Sequence, residues 1–321
     1  MSTEPTPRTA VITGAGSRRG IGRATAHALA SAGYHIAVLD LDKETAEDTA
    51  REISARHAVE AMGLVADVTD AHAVDAAIGA VEAALPPVGA LVNNAGITSP
   101  TRFLDVTPTE WDRILDVNVR GSFLVTHRVA AGMAERRFGR IVFLSSVSAE
   151  RGGGVFGGAY SAAKAALLGF AKALARELGP SGVTVNSVAP GLIDTDITQG
   201  KLDEERKAAM IADVPVGRIG VVEDVAECHR FPGPARVRLR HRRDVRRQRR
   251  VPHPLTEPRP GKVGPRIACA PPGRRSPGQG LLAGSAAMVE NTFAPTPIAA
   301  RRPGRRRHSL RRWAGRSPRA S

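Results

Sequence analysis

Only two cysteines, Cys228 and Cys269, occur in 321 residues. Two thiols cannot build a disulfide framework, which fits a reducing cytoplasm. No run of about 18 apolar residues occurs, so no membrane-spanning helix is expected. The opening MSTEPTPRTAVIT lacks the basic-then-apolar pattern of a secretion signal. The C-terminal stretch is short of acid. Residues 229–321 hold 24 Lys and Arg against 3 Asp and Glu, whereas residues 1–228 hold 22 and 28. The formal net charge of +15 is therefore −6 on the first part and +21 on the second. A whole-chain charge describes neither.

Residues 1–228 are enough for one domain with a substantial core. Apolar runs of strand length fall at 8–13, 35–40, 62–66, 90–93, 140–145 and 183–188. Amphipathic or Ala-rich segments at 21–32, 43–56, 70–84, 108–135 and 160–178 separate them. Near-continuous apolar strands alternating with helices predict an α/β fold. It is a Rossmann-type, doubly wound parallel sheet with helices on both faces. Ligands then bind beyond the carboxyl ends of the strands.

The first strand runs into Thr13-Gly14-Ala15-Gly16-Ser17-Arg18-Arg19-Gly20-Ile21-Gly22. Glycines there let a pyrophosphate approach the backbone, and the following helix offers it free N–H groups. Asp40 ends the second strand, 18 residues after Gly22, near the spacing expected for a carboxylate on ribose hydroxyls. It would repel a 2′-phosphate, which favours NAD over NADP. The plainer role for Asp40 is in a helix N-cap region. Arg18 and Arg19 pull towards NADP if they hold a 2′-phosphate, or are solvated loop charges. Asp67, followed by Val68, closes the third strand and either accepts from an adenine amino group or serves as a turn carboxylate.

Tyr160 and Lys164 are four residues apart at the start of an apolar helix, so they share a face. A free tyrosine titrates at about 10 and is a poor catalyst at neutral pH. A neighbouring ammonium and an oxidised nicotinamide both favour its phenolate. The plainer reading is a snorkelling lysine beside a packed ring. Four further motifs follow in order: Asn93-Asn94-Ala95-Gly96, Asp116-Val117-Asn118-Val119, Leu144-Ser145-Ser146, and Pro190-Gly191 with Thr195 behind it.

Together, from residue 8 to about 227, these motifs resemble the short-chain dehydrogenase/reductase family, in particular its 3-oxoacyl-carrier-protein reductases. The resemblance implies an NAD(P)-dependent oxidoreductase acting on a small carbonyl or alcohol, and a homodimer or homotetramer for a chain that keeps the family's C-terminal part. It makes Tyr160 the proton donor or base, and has Lys164 lower its pKa and hold the nicotinamide ribose. Ser146 would bind the substrate oxygen and Asn118 a relay water. Gly14, Gly20, Ile21 and Gly22 would contact pyrophosphate. Asn94 and Gly96 would line the adenosine side, and Pro190, Gly191 and Thr195 would seat the nicotinamide. Two departures stand out. Five residues separate Thr13-Gly14 from Gly20, where the family has three. The Ser146–Tyr160 gap is one residue longer than usual, which leaves Ser145 as a substitute. Residues 192–222 resemble the family's substrate-covering segment, with an amphipathic lid expected over 201–213.

After Cys228 the family pattern of apolar helix, turn and final strand is missing. One codon assignment for Val237–Leu255, read one base later, spells SGYVTGATYDVNGGSHIH and then a stop. That string has the family's closing strand and Asn-Gly-Gly. The wobble bases of that assignment are free choices, whereas the first two bases of most codons are fixed by the residues. Residues 229–321 are therefore expected to be an out-of-frame, largely irregular, disordered tail, and the sheet to lack its last strand. The rival reading is an impaired dehydrogenase body with a nonspecific nucleic-acid-binding arm. The tail carries Trp313 near its end but no recognisable binding motif.

Overall fold

The computed structural model describes residues 7–152, 156–196 and 216–229, isolated positions between 205 and 214, and the backbone of 286–289. The first half runs β1 (Thr9–Thr13), α1 (Ile21–Ser31), β2 (His35–Asp40), α2 (Lys43–Arg56), β3 (Ala61–Val65), α3 (Ala71–Ala84) and β4 (Val88–Asn93). The second continues with α4 (Pro108–Leu115), α5 (Gly121–Glu135), β5 (Gly139–Leu144), α6 (Gly158–Leu178), β6 (Val183–Pro190) and the short α7 (Val222–Ala226). Strands β3-β2-β1-β4-β5-β6 lie side by side in that order, all parallel. This is the expected doubly wound sheet, and its strand order reverses between β1 and β4.

Burial explains why these runs are strands. β1, β4 and β5 are buried along their whole length, so both faces must be apolar. Alternate residues feed two cores. Val11, Leu91, Ile141 and Phe143 pack under Ile78 of α3, Val129 of α5 and Leu167 of α6. Ala10, Ile12, Val38 and Val92 pack under Leu29 of α1 and Ile53 of α2. Among the described residues no helix is long and apolar enough to cross a membrane.

The expected single helix over 108–135 is broken. Thr107 caps α4 by accepting from the Glu110 amide at 3.2 Å, with Pro108 in the first turn. A π-helical turn, Asp116–Arg120, then joins α4 to α5. It carries Asn118, which is fully buried. Such single-turn insertions recur at functional sites.

A seventh strand, β7 (Ala286–Val289), lies antiparallel against Ser187–Pro190 of β6. Sequence reasoning expected no strand at that edge; four tail residues stand there, in the opposite direction to the other six. The rest of the tail beyond His229, and the lid expected over 201–213 apart from isolated residues, lie outside the described residues. His229 closes a short 3-10 turn after α7 and is fully buried, its Nδ1 3.0 Å from the Val225 carbonyl. Burial pushes its pKa down to about 4, so the ring is neutral.

Candidate active site

All the motifs read from the sequence meet at the carboxyl edge of the sheet. β1 hands the chain to the glycine-rich turn at Gly14, whose φ of 63° favours glycine. A Cβ on Gly14 would sit 2.8 Å from the Ala95 Cα, and one on Gly22 would sit 2.6 Å from the Asn94 Nδ2. These clashes keep the turn bare against β4. Asn94 fastens it there: Nδ2 donates to the carbonyls of Thr13 and Gly14 at 2.8 and 2.7 Å. The Thr13 hydroxyl accepts from the Asn94 and Ala95 amides. Gly20 is the N-cap of α1, and Ile21 begins the helix while packing on the Leu144–Val188 core. A bare turn ahead of an uncapped helix start suits a diphosphate.

Asp40 stands at the tip of β2. Its Oδ2 accepts from the Gly16 amide and its Oδ1 from the Leu41 amide, each at 2.8 Å. The carboxylate is thus fixed across the glycine turn. The two arginines are paired elsewhere. Arg18 lies 3.5 Å from Asp48, and Arg19 lies 2.6 Å from Asp194. Asp67 accepts from the Thr69 amide and hydroxyl at 2.8 and 2.7 Å, the turn arrangement. Val68 is buried where α5 begins, against Gly121.

The serines after β5 divide their work. Ser145 donates to the Lys164 carbonyl at 2.8 Å, and its amide donates to the Val188 carbonyl, so it ties α6 to the sheet. Ser146 accepts from the Ser148 amide at 3.1 Å, and its hydroxyl favours the Tyr160 phenolate. The sequence favours Ser146 and keeps Ser145 as a substitute; in the structure the Ser145 hydroxyl is committed to the Lys164 carbonyl. Burial pushes the Tyr160 pKa up, and the Ser146 hydroxyl opposes that. Lys164 is buried, with Nζ donating to the Leu144 carbonyl at 2.8 Å and lying 5.6 Å from the Tyr160 ring centre. Burial brings its pKa down to about 8.

Asn118 closes the group from below. Its Nδ2 donates to the carbonyls of Ile97 and Ile114, both at 2.9 Å. Its Oδ1 is buried with no hydrogen-bond partner among the described residues. That oxygen and the Lys164 Nζ lie 2.5 and 3.2 Å from the point a Cβ on Gly96 would occupy. Glycine therefore keeps open a polar space between the amide oxygen and the ammonium. On the far side, the Val147 amide donates to the Pro190 carbonyl, Gly191 follows, and Thr195 is buried. A carbonyl oxygen between the Ser146 and Tyr160 hydroxyls would receive two hydrogen bonds and a proton.

Three residues escaped the sequence reading. Arg23 is buried in α1 and binds Glu52, Asp48 at 3.2 Å and the Gly16 carbonyl at 3.5 Å, bracing the glycine turn against α2. An arginine on an Ala-rich helix was its only signal. Asp194 and Asp196 reach back to the glycine turn, with no sequence signal at all.

A family model described as short chain dehydrogenase matches residues 8–206. A 3-oxoacyl-acyl-carrier-protein reductase of Aquifex aeolicus is 42% identical over 211 residues, 66% of this chain and 84% of that protein. A crystal structure of a 3-oxoacyl-acyl-carrier-protein reductase with bound NAD, from Brucella melitensis, is 34% identical. It covers 70% of this chain and 82% of its own at a TM-score of 0.64. A putative NAD(P)-dependent gluconate 5-dehydrogenase of Beutenbergia cavernae, solved with NADP at low occupancy, is 35% identical. It covers 71% of this chain and 90% of its own at a TM-score of 0.66.

Proposed function

Because the chain belongs to the short-chain dehydrogenase family, an oxidoreductase family working between CH–OH and carbonyl, we propose that it reduces 3-oxoacyl thioesters. The observation that carries the proposal is the buried Lys164 ammonium 5.6 Å from the Tyr160 ring centre, beside an Asn118 oxygen with no hydrogen-bond partner among the described residues. The reductase relatives support the substrate class. A nicotinamide dinucleotide, when bound, supplies or takes the hydride.

The chain's own residues do the rest. The turn Gly14–Gly22 and the start of α1 hold the diphosphate, and Asn94, Gly96, Asp67 and Val68 line the adenosine side. Pro190, Gly191 and Thr195 border the nicotinamide. Ser146 steadies charge on the substrate oxygen, and Tyr160 gives that oxygen its proton. Lys164 holds a positive charge below a pH of about 8, which favours the phenolate left behind. Asn118 Oδ1 and Lys164 Nζ bracket the space over Gly96, where a water would return the proton. Ser146→Ala is expected to cost about 100-fold in turnover. Ser145→Ala should instead lower thermal stability, with a smaller loss of turnover, because its hydroxyl bonds a backbone carbonyl. Steady-state rates and melting curves on the two variants check this.

NAD is the preferred cofactor in this reading. Asp40 is pinned where it would repel a 2′-phosphate, and both candidate phosphate-binding arginines are paired with carboxylates. Turnover of a 3-oxoacyl thioester with NADH and NADPH tests the whole proposal. We expect NADH to be favoured by about tenfold or more in kcat/KM, the scale of one unfavourable charge contact. Asp40→Ala should narrow the gap. Equal use of both cofactors by the wild type would remove the role given to Asp40, and no turnover with either would remove the substrate class. The same reading places the protein in the cytoplasm as a homo-oligomer. The exposed Phe103 and Leu104 support the assembly. Size-exclusion chromatography tests the assembly.

A further inference from the structure

The glycine-rich turn is longer by two residues than the three-residue spacing of the family pattern, and the structure gives that extra length a partner. Ser17 donates its hydroxyl to Asp196 Oδ2 at 2.6 Å, and the Arg19 amide donates to the same oxygen at 3.3 Å. The Arg19 guanidinium holds Asp194 Oδ1 at 2.6 Å. These residues are far apart in sequence. The acids follow β6 and lie beside Thr195, on a segment that a parallel bridge between Ile193 and Gly220 and the Asp194 amide–Gly220 carbonyl bond tie to the chain ahead of α7. A backbone N–H and a hydroxyl ahead of an uncapped helix start are donors that suit an anion. Here the anion they hold is the protein's own carboxylate.

The geometry points to Asp196 as a resident competitor for the diphosphate site. Its carboxylate occupies the Ser17 and Arg19 donors, and Asp194 holds the Arg19 side chain alongside. A dinucleotide must displace that carboxylate or bind beside its negative charge. Asp194 and Asp196 thereby set cofactor affinity, and they couple binding to the position of the chain after β6. The inference rests on the dinucleotide reading of the turn. Both pairs are solvent-exposed, so the competition should weaken as salt screens it.

Titration calorimetry with ADP and with NADH tests this on the wild type, Asp196→Asn, Asp194→Asn and a charge control on α4, Asp112→Asn. If the held state is the main one in the free protein, releasing it should tighten binding by roughly threefold to tenfold. Asp196→Asn should tighten both ligands to that degree at low salt, Asp194→Asn less, and Asp112→Asn should match the wild type. The gain should shrink at high salt. Asp196→Asn binding that is unchanged or weaker overturns the competition while leaving the dinucleotide reading intact. No binding of either ligand by any variant overturns that reading and the competition with it.

Discussion

Replacing Tyr160 by Phe is expected to slow turnover by about 10²- to 10⁴-fold, the usual worth of a positioned proton donor. The loss should fall on kcat, with NADH affinity nearly unchanged. Phe keeps the ring that packs 5.8 Å from Phe156 and under the Lys164 ammonium, so the helix face and the cofactor side stay as they are. What disappears is the phenolic hydroxyl, whose ionisation Ser146 favours. No other hydroxyl does both jobs, because Ser145 is committed to the Lys164 carbonyl. The pH dependence follows from the same burial. In the free protein the phenol is held above its ordinary range and Lys164 is brought down to about 8. Tyr160 thus carries its proton at neutral pH and can act as the acid in reduction. Lys164 loses its charge as pH rises through about 8, which should weaken its hold on the phenolate. Rates measured from pH 6 to 10, with single-turnover hydride transfer and fluorescence titration of NADH, check both statements. A Phe variant retaining a tenth of the rate would show that another group delivers the proton.

What the sequence revealed of this site depended on distance along the chain. Tyr160 and Lys164 share a helix face, and Asp40 ends its strand, so spacing alone placed them. Glycines 14, 22 and 96 were legible because each answers a steric demand, and the structure shows the atoms that make it. The motif pointed to Ser146 without removing Ser145, because both leave β5 at its carboxyl end. Only the position of α6 decides which meets the phenol. The π-helical turn at Asp116–Arg120 was hidden for a different reason: one extra residue per turn barely disturbs an apolar period of 3.6. The ties from Ser17 and Arg19 to Asp196 span 177 residues or more, beyond any local pattern. The seventh strand was missed because AAMV is too short and too lightly branched to signal a strand.

Restoring the shifted frame from about residue 229, so that the chain ends in SGYVTGATYDVNGGSHIH, is expected to raise soluble yield and melting temperature together. The outer edge of β6 shows why. Its pairing with β7 covers Ser187–Pro190 only. Among the described residues, Val183–Asn186 have no strand partner on that side, and Asn186 Oδ1 and Ser187 Oγ are buried without hydrogen bonds. Unsatisfied buried groups and an open edge both cost stability, and the edge also invites aggregation. The shifted string offers a longer β-branched and aromatic run with an Asn-Gly-Gly end. Burying three of its apolar side chains would contribute roughly 5–9 kcal/mol by area. At about 2–4 °C per kcal/mol for a domain of this size, the midpoint should rise by more than 10 °C. The restored chain also loses most of the +21 charge of residues 229–321. Any DNA binding by the chain as it stands should therefore vanish, while NADH-dependent reduction should increase. Melting curves, soluble yield, a salt-titrated DNA shift and turnover, run on both chains, separate the two readings of the tail. Equal midpoints and equal turnover would mean that β7 serves as the last strand and that residues 229–321 belong to the fold. Codons for 237–255 that cannot spell the shifted string would end the frame reading at once.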